Sequence, residues 1–244
     1  MWQLEQTRAQ LTAGDLRVGV DVLRADRGLD VAIFGNKLAG RFLEIHLPPV
    51  ENSGDERVTD CYARNDDLVA TYTDARLGNV RPQIYWRAIA GSGGAVGVEA
   101  IVSVQTNLLD SRPVVSTATE LFAAADVRQL ASLEDERFEN IAPSLNSVST
   151  EPSRNPAAFL FRLADQPLAY FEMAFPGDCY SASLEFPQSR ETARLSFALL
   201  GEPLEKGVIR RVRVRGLFLT GDNLEATAAR CFREFLAAPL PLTT

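Results

Sequence analysis

Residues 57–106, RVTDCYARNDDLVATYTDARLGNVRPQIYWRAIAGSGGAVGVEAIVSVQT, decide the fold. Four runs in this stretch alternate apolar and polar residues, and compact turn signals separate them. Thr59, Cys61 and Ala63 fall on one side of the first run, and Leu68, Ala70 and Tyr72 on one side of the second. Asn65-Asp66 stands between them as a two-residue turn. Residues 80–89 and 95–106 then flank Gly91-Ser92-Gly93-Gly94, whose glycines accept left-handed backbone. The period is two, so the stretch specifies antiparallel strands.

Upstream, Leu16, Val18, Val20 and Val22 share one face, as do Leu29, Val31 and Ile33 after an Ala25-Asp26-Arg27-Gly28 turn. Gly35-Asn36 is read as a hairpin turn flanked by Phe34 and Lys37. It leads into a third run over 37–47, which completes a three-stranded meander. Pro48-Pro49 ends that run, and 51–56 reads as a polar surface loop. Downstream, 114–121 is a weaker strand. Residues 122–138 permit helix through their alanines and charges without giving a clean 3.6-residue stripe.

Residues 140–156 are rich in Pro, Ser and Asn and read as a long irregular connection, either a functional loop or a link between two halves of one sandwich. Further strands are expected over 159–163, 168–175, 182–186, 193–199 and 208–219. The period then changes. Asp222 and Glu225 have capping-box spacing, and Leu224, Ala228, Cys231, Phe232 and Phe235 form one apolar helical stripe that stops before Pro239.

These elements predict an all-β protein. Residues 1–244 form one large antiparallel β-sandwich, with a C-terminal α-helix over an edge or face and two halves joined near 140–156. Roughly a dozen strands is large for a simple sandwich. In length and strand number the chain resembles the extended sandwiches of sugar mutarotases and some carbohydrate-active enzymes. That resemblance is one of fold alone: the chain carries no family motif that we recognise. Its single histidine departs from the multi-histidine sites of mutarotases, so their mechanism is not carried over.

Composition narrows the function classes. A chain of 244 residues buries roughly 70–75% of its unfolded surface and needs no staples. Its three cysteines, at 61, 179 and 231, match neither a disulfide framework nor a C-x-x-C site, and are expected as free thiols. The N-terminal residues lack the apolar core of a signal peptide, and no run approaches the ~20 apolar residues of a membrane span. A soluble, cytoplasmic protein with no membrane association is the expectation. With 32 acids against 25 bases the net charge is −7, which repels a phosphate backbone and argues against nucleic acid as a partner.

Strand 80–89 offers the best binding face, because Arg81, Gln83, Tyr85 and Arg87 alternate away from Val80, Ile84 and Trp86. Two guanidiniums bracket an amide and a phenol, a row suited to a carboxylate, a phosphate or sugar hydroxyls. Glu99, Ser103 and Gln105 share a parity in the next run, and Asp60, Tyr62 and Arg64 in the preceding hairpin. Coincidence of those faces would make a polar concavity. Read structurally, the same row is a solvated sheet face whose ion pairs are worth only ~0.2–1 kcal/mol each.

Arg211, Arg213 and Arg215 form a second candidate, a basic stripe opposite Val212 and Val214. Acids such as Glu185 are available to neutralise it, and arginine stems cover apolar sheet well. His46 shares parity with Glu44 near a strand end, where it is either an acid–imidazole pair or a locally paired, half-exposed histidine. The 91–97 glycine loop precedes a strand and lacks dinucleotide spacing. There is no G-x-S-x-G elbow and no Walker lysine. No metal site and no cofactor are therefore expected.

Paired carboxylates drawn from Asp60, Asp66, Asp67, Glu99, Glu172 and Glu185 remain an enzymatic option. The reading is a binder of a carbohydrate or a small acidic metabolite through Arg81, Gln83, Tyr85 and Arg87. The alternatives are a carbohydrate-active enzyme using carboxylates, with Glu99 or Asp60 as acid or base and help from His46, and a protein-interaction module using the arginine strand or the helix.

Overall fold

The computed structural model describes residues 1–48, 57–73, 79–122, 124–142, 147–150, 156–164, 167–186 and 192–239, arranged as three antiparallel sheets and one helix. The first sheet runs in chain order through β1 (Trp2–Glu5), β2 (Arg8–Ala13), β3 (Leu16–Asp21), β4 (Asp30–Ile33) and β5 (Asn36–Lys37). The later strands are β6 (Gly40–His46), β7 (Arg57–Arg64), β8 (Asp67–Thr73), β9 (Val80–Ala90), β10 (Val96–Thr106), β11 (Val115–Phe122), β12 (Ala124–Ser132) and β13 (Arg137–Asn140). They continue with β14 (Ser147–Thr150), β15 (Ala158–Leu163), β16 (Leu168–Ala174), β17 (Cys179–Glu185), β18 (Thr192–Leu199) and β19 (Ile209–Thr220). Nine of these strands form one sheet in the order β13-β12-β15-β16-β19-β10-β9-β8-β7, and five form another in the order β14-β17-β18-β11-β6.

The nine-stranded sheet and the five-stranded β14–β6 sheet pack face to face as a β-sandwich. Leu68, Ala70 and Tyr72 of β8 and Ile84 and Trp86 of β9 enter the same core as Phe42, Leu195 and Phe197 from the opposite sheet. The first sheet joins this core through Trp2, Leu11, Leu16 and Val18. Phe42 crosses the interface to meet Tyr170 and Phe218, with ring centroids 5.0 and 5.4 Å away. Such edge-on pairs add about 0.5–1.5 kcal/mol each beyond the area they bury. A Cβ at Gly216 would run into the Tyr170 ring, so the missing side chain there makes room for an aromatic anchor.

Helix α1 (Leu224–Ala237) packs on the other face of the nine-stranded sheet. Ala228, Cys231, Phe232 and Phe235 meet Leu130, Leu160, Phe171, Met173, Leu217 and Leu219, which form a second core. The helix therefore covers the β12–β19 half of this outer face and leaves the β10–β7 half without a helix. No helix among the described residues is long and apolar enough to cross a membrane.

The β7–β8 hairpin turns at Asn65-Asp66, with Arg64 opposite Asp67, as the sequence predicts. The β9–β10 hairpin likewise closes around Gly91–Gly94. The upstream meander is corrected in register. Ile33 pairs with Asn36, so the turn residues are Phe34 and Gly35, at φ 51° and 80°. Burial of Leu16 against Ile33 and Val18 against Val31 fixes that register and overrides local turn preference. The run read as one strand over 37–47 divides. β5 ends at Lys37, and β6 pairs with β11 in the other sheet. Gly40 permits the departure, since a Cβ there would come within 2.7 Å of the Glu120 carbonyl oxygen.

The expected turn at residues 25–28 lies in a 3-10 segment over Val22–Arg27 that ends at Gly28. Residues 122–138, which permitted helix, supply β12 and the start of β13; a register shift between Ala124 and Asp126 breaks the period that would have marked the strand. The connection at 140–156 contains β14, paired with β17. The expected capping box is absent. Asn223 is the N-cap and makes no side-chain cap bond, while Glu225 pairs with Arg128 of β12. β1 and β2 were not anticipated, although Ala9 and Leu11 sit on one buried face. The polar loop read at 51–56 lies outside the described residues.

Candidate functional site

Register across five strands, from β7 to β19 at the helix edge, arranges this part of the outer face in rows. One row runs Arg64, Asp67, Arg87, Glu99, Arg215, alternating in charge from β7 to β19. Arg87 holds Asp67 through two hydrogen bonds, Nε to Oδ1 at 2.6 Å and Nη2 to Oδ2 at 2.8 Å. Arg215 donates from Nε to Glu99 Oε2 at 2.7 Å, with both side chains buried. Two of its arginines are thus paired with its two acids, and these pairs brace the face.

The next row runs Tyr62, Val69, Tyr85, Ile101, Arg213. Val69 and Ile101 are buried and form the floor, while Tyr62 is 42% exposed and Tyr85 half-buried. Strand spacing sets the two tyrosine backbones about 10 Å apart across Val69. Beside them lies a polar row of Asp60, Thr71, Gln83, Ser103 and Arg211. The Tyr85 hydroxyl donates to Gln83 Oε1, and Gln83 Nε2 donates to Thr71 Oγ1 at 2.8 Å, so the amide orientation is fixed. Burial raises the Tyr85 phenol above its usual pKa, nearby Tyr62 adds to the rise, and Arg211 opposes it. Arg81 stands one row further along, opposite Gln105.

The sequence-predicted residues are therefore together on one face but not equivalent. Gln83 and Tyr85 are hydrogen-bonded to each other, and Arg87 is occupied by Asp67. Arg81 is exposed and makes no ion pair or side-chain hydrogen bond among the described residues. The faces carrying Asp60, Tyr62 and Arg64 and carrying Glu99, Ser103 and Gln105 do coincide with it.

The arginine stripe on β19 lies on this same face, and its members diverge. Arg215 is held by Glu99. Arg213 is buried with its guanidinium over Phe175 and Phe235, 4.6 and 4.9 Å from the ring centroids. It also donates to the Ala238 carbonyl at the end of α1, and burial lowers its pKa. Arg211 is half-buried beside Tyr85 and has no side-chain partner among the described residues. Glu185 plays no part in neutralising the stripe; it lies in the five-stranded sheet opposite Arg194. The periodicity of 209–219 revealed the stripe, but nothing local showed that it shares a face with β9.

Of the carboxylates on this face, Asp67 and Glu99 are each held by an arginine, and Asp60 stands in the polar row, two rows away from them. Glu172 points into the sandwich interior, where Oε2 accepts from the Thr119 hydroxyl at 2.5 Å and the Tyr170 hydroxyl at 2.8 Å, and Oε1 has no hydrogen-bond partner among the described residues. Burial pushes its carboxyl up to about 7. Glu44 and His46 are neighbours on β6, with Nε2 3.7 Å from Oε2, far from the tyrosine rows. Arg194 and Arg41 also hold Glu44, at 3.0 and 3.3 Å. No group of three or more His, Cys, Asp or Glu among the described residues is placed to share a metal ion.

No protein-family model matches the chain, and no curated protein matches it. Solved structures do. A putative aldose 1-epimerase from Escherichia coli K12 aligns with a TM-score of 0.62 at 10% identity, over 88% of this chain and 99% of that one. A galactose mutarotase-like protein from Lactobacillus casei aligns at 0.54 and 10% identity, over 86% and 99% of the two chains. An α-N-acetylgalactosaminidase from Bifidobacterium bifidum aligns at 0.57 and 15% identity, over 93% of this chain and 38% of that one. The fold is thus a galactose mutarotase-like β-sandwich, whose structural neighbours include carbohydrate-related proteins.

Proposed function

We propose that the outer face between β7 and β19 binds a carbohydrate bearing an acidic group. The observation that carries this reading is the pairing of an aromatic row with a polar row: Tyr62 and Tyr85 stand on either side of buried Val69, with Ile101 beyond Tyr85, while Thr71, Gln83 and Ser103 lie alongside. A sugar ring presents apolar C–H faces and hydroxyl edges, and these two rows match them. Arg81 and Arg211 are guanidiniums without side-chain partners among the described residues, at the margin of the same rows, and are suited to a carboxylate or phosphate on the sugar. Carbohydrate-related structural neighbours are consistent with this choice of ligand. A carboxylate enzyme is less well supported, because Glu99 and Asp67 are each committed to an arginine and His46 lies on the opposite sheet.

Calorimetry with galacturonate oligomers and with neutral galactose oligomers of the same length tests both parts. The acidic oligomer is expected to bind more tightly. Arg81→Ala and Arg211→Ala should each weaken it by roughly one to two decades, the loss of a charged hydrogen bond worth ~1.5–3 kcal/mol. Equal affinity for the two oligomers would remove the acidic group from the proposal, and binding of neither would remove the face.

A further inference from the structure

A cavity of about 470 Å3 opens at one rim of the sandwich, where Arg112 and Val114 lead into β11, Asp178 and Tyr180 belong to the entry of β17, and Gly201 follows β18. Arg210 and Val212 of β19 complete it. These two alternate with Arg211 and Arg213, so the cavity and the outer tyrosine face lie on opposite sides of the same strand. Its size falls within the range of small-molecule sites, roughly 300–1,000 Å3. The lining comes from four separate strand ends.

The chemistry of that lining is specific. Arg112 is exposed and has no side-chain partner among the described residues. Arg210 makes long contacts, 3.4 Å from Nη2 to the Gly177 carbonyl and 3.6 Å to Glu202, and among the described residues its Nε has no acceptor. Asp178 Oδ2 accepts the backbone N–H of Arg213 at 3.0 Å, and its carboxyl also lies in the field of Arg210. Tyr180 lies against Gly201, where even a Cβ would approach Cε1 to 2.9 Å; glycine lets the ring rest on the backbone, and the residue remains 52% exposed. Val212, Leu200 and Cys179 supply a buried apolar floor.

We propose that this cavity binds a small molecule in which a carboxylate is carried on a flat ring. The ring stacks on Tyr180 over the apolar floor, and the carboxylate takes the acceptor positions that Arg112 and Arg210 leave unfilled. Glu202 does not fill them: it is largely exposed, and its contact is longer than a hydrogen bond.

Benzoate is the probe, with benzyl alcohol as its uncharged counterpart, and amide chemical shifts of the whole protein report both location and affinity. Saturable shifts confined to 112–114, 177–180, 200–202 and 210–212 are expected for benzoate, with benzyl alcohol at least tenfold weaker. Arg112→Gln should weaken benzoate by about tenfold and Tyr180→Ser by a similar factor, while circular dichroism stays unchanged, since both side chains are exposed. Shifts that map to Arg81 and Arg211, equal binding of the alcohol, or an unchanged affinity in Arg112→Gln would each overturn the proposal.

Discussion

The Arg215 guanidinium reaches across the β19–β10 pair to Glu99, Nε to Oε2 2.7 Å, with both side chains buried. That contact ends an alternating charge row of five residues and removes Glu99 from the pool of available acids. It also lies beside the helix, since the Arg215 guanidinium sits 4.7 Å from the Phe235 ring centroid. The pair therefore joins the sheet to α1.

Removing one partner of this pair should be costly. Arg215→Met leaves a buried carboxylate without its hydrogen bonds and is expected to lower unfolding stability by about 3–5 kcal/mol. Arg215→Met combined with Glu99→Leu should recover most of the loss. Urea unfolding of the two variants measures this, and a double variant as unstable as the single one would contradict it.

Stability should fall as pH rises across the weakly acidic range. Glu172 has a folded-state pKa of about 7 against an ordinary 4.5, so the native state holds this proton more tightly than the unfolded chain does. Its favourable contribution is complete below about 4.5 and is lost as pH rises through 7. A shift of that size is worth about 3 kcal/mol. Burial also lifts Asp178 to about 6, and it adds to the same slope. Glu172→Gln should therefore reduce the pH dependence of the urea midpoint between pH 5 and 8 without abolishing it. An unaltered slope would show that Glu172 does not titrate there.

Arg81 and Arg87 should respond differently to truncation. Arg81 has no side-chain partner among the described residues, so Arg81→Ala is expected to leave the melting temperature unchanged and to act only on binding of the acidic oligomer. Arg87→Ala frees Asp67 and should lower stability by up to about 1 kcal/mol, in keeping with a partly exposed ion pair. Its effect on ligand affinity should be smaller than that of Arg81→Ala. Calorimetry and thermal melts on the two variants separate a contacting residue from a bracing one.

Thiol labelling should follow burial. Cys231 is enclosed by the helix–sheet core and burial pushes its thiol to about 11; Cys179 is pushed to about 12. Cys61 is half-buried. Iodoacetamide followed by peptide mass spectrometry is expected to modify Cys61 first and Cys231 only when the protein opens. Rapid modification of Cys231 in the native protein would contradict its docking.

Local pattern made several elements legible. The alternation of Leu68, Ala70 and Tyr72 identified β8 and its buried face, and Asn65-Asp66 located its turn. The spacing of Ala228, Cys231, Phe232 and Phe235 identified the apolar stripe of α1. Elsewhere the local signal was broken or overruled. A bulge at the start of β12 obscured its period, and the register of β4 moved the turn from Gly35-Asn36 to Phe34-Gly35.

The sequence by itself determined which residues share a face within each strand, because side chains alternate with period two whatever the strand pairs with. That is why Arg81, Gln83, Tyr85 and Arg87 could be grouped, and likewise Arg211, Arg213 and Arg215. Only the tertiary structure decided that β10 lies between β9 and β19, bringing Tyr85 and Arg211 to one surface from positions more than a hundred residues apart. It also decided which arginines are occupied: Glu99 took Arg215, Asp67 took Arg87, and Arg81 and Arg211 have no side-chain partner among the described residues. Pairing between distant strands is set by burial of their inner faces, such as Trp86 and Ala100 in the common core, and the outer rows follow from it.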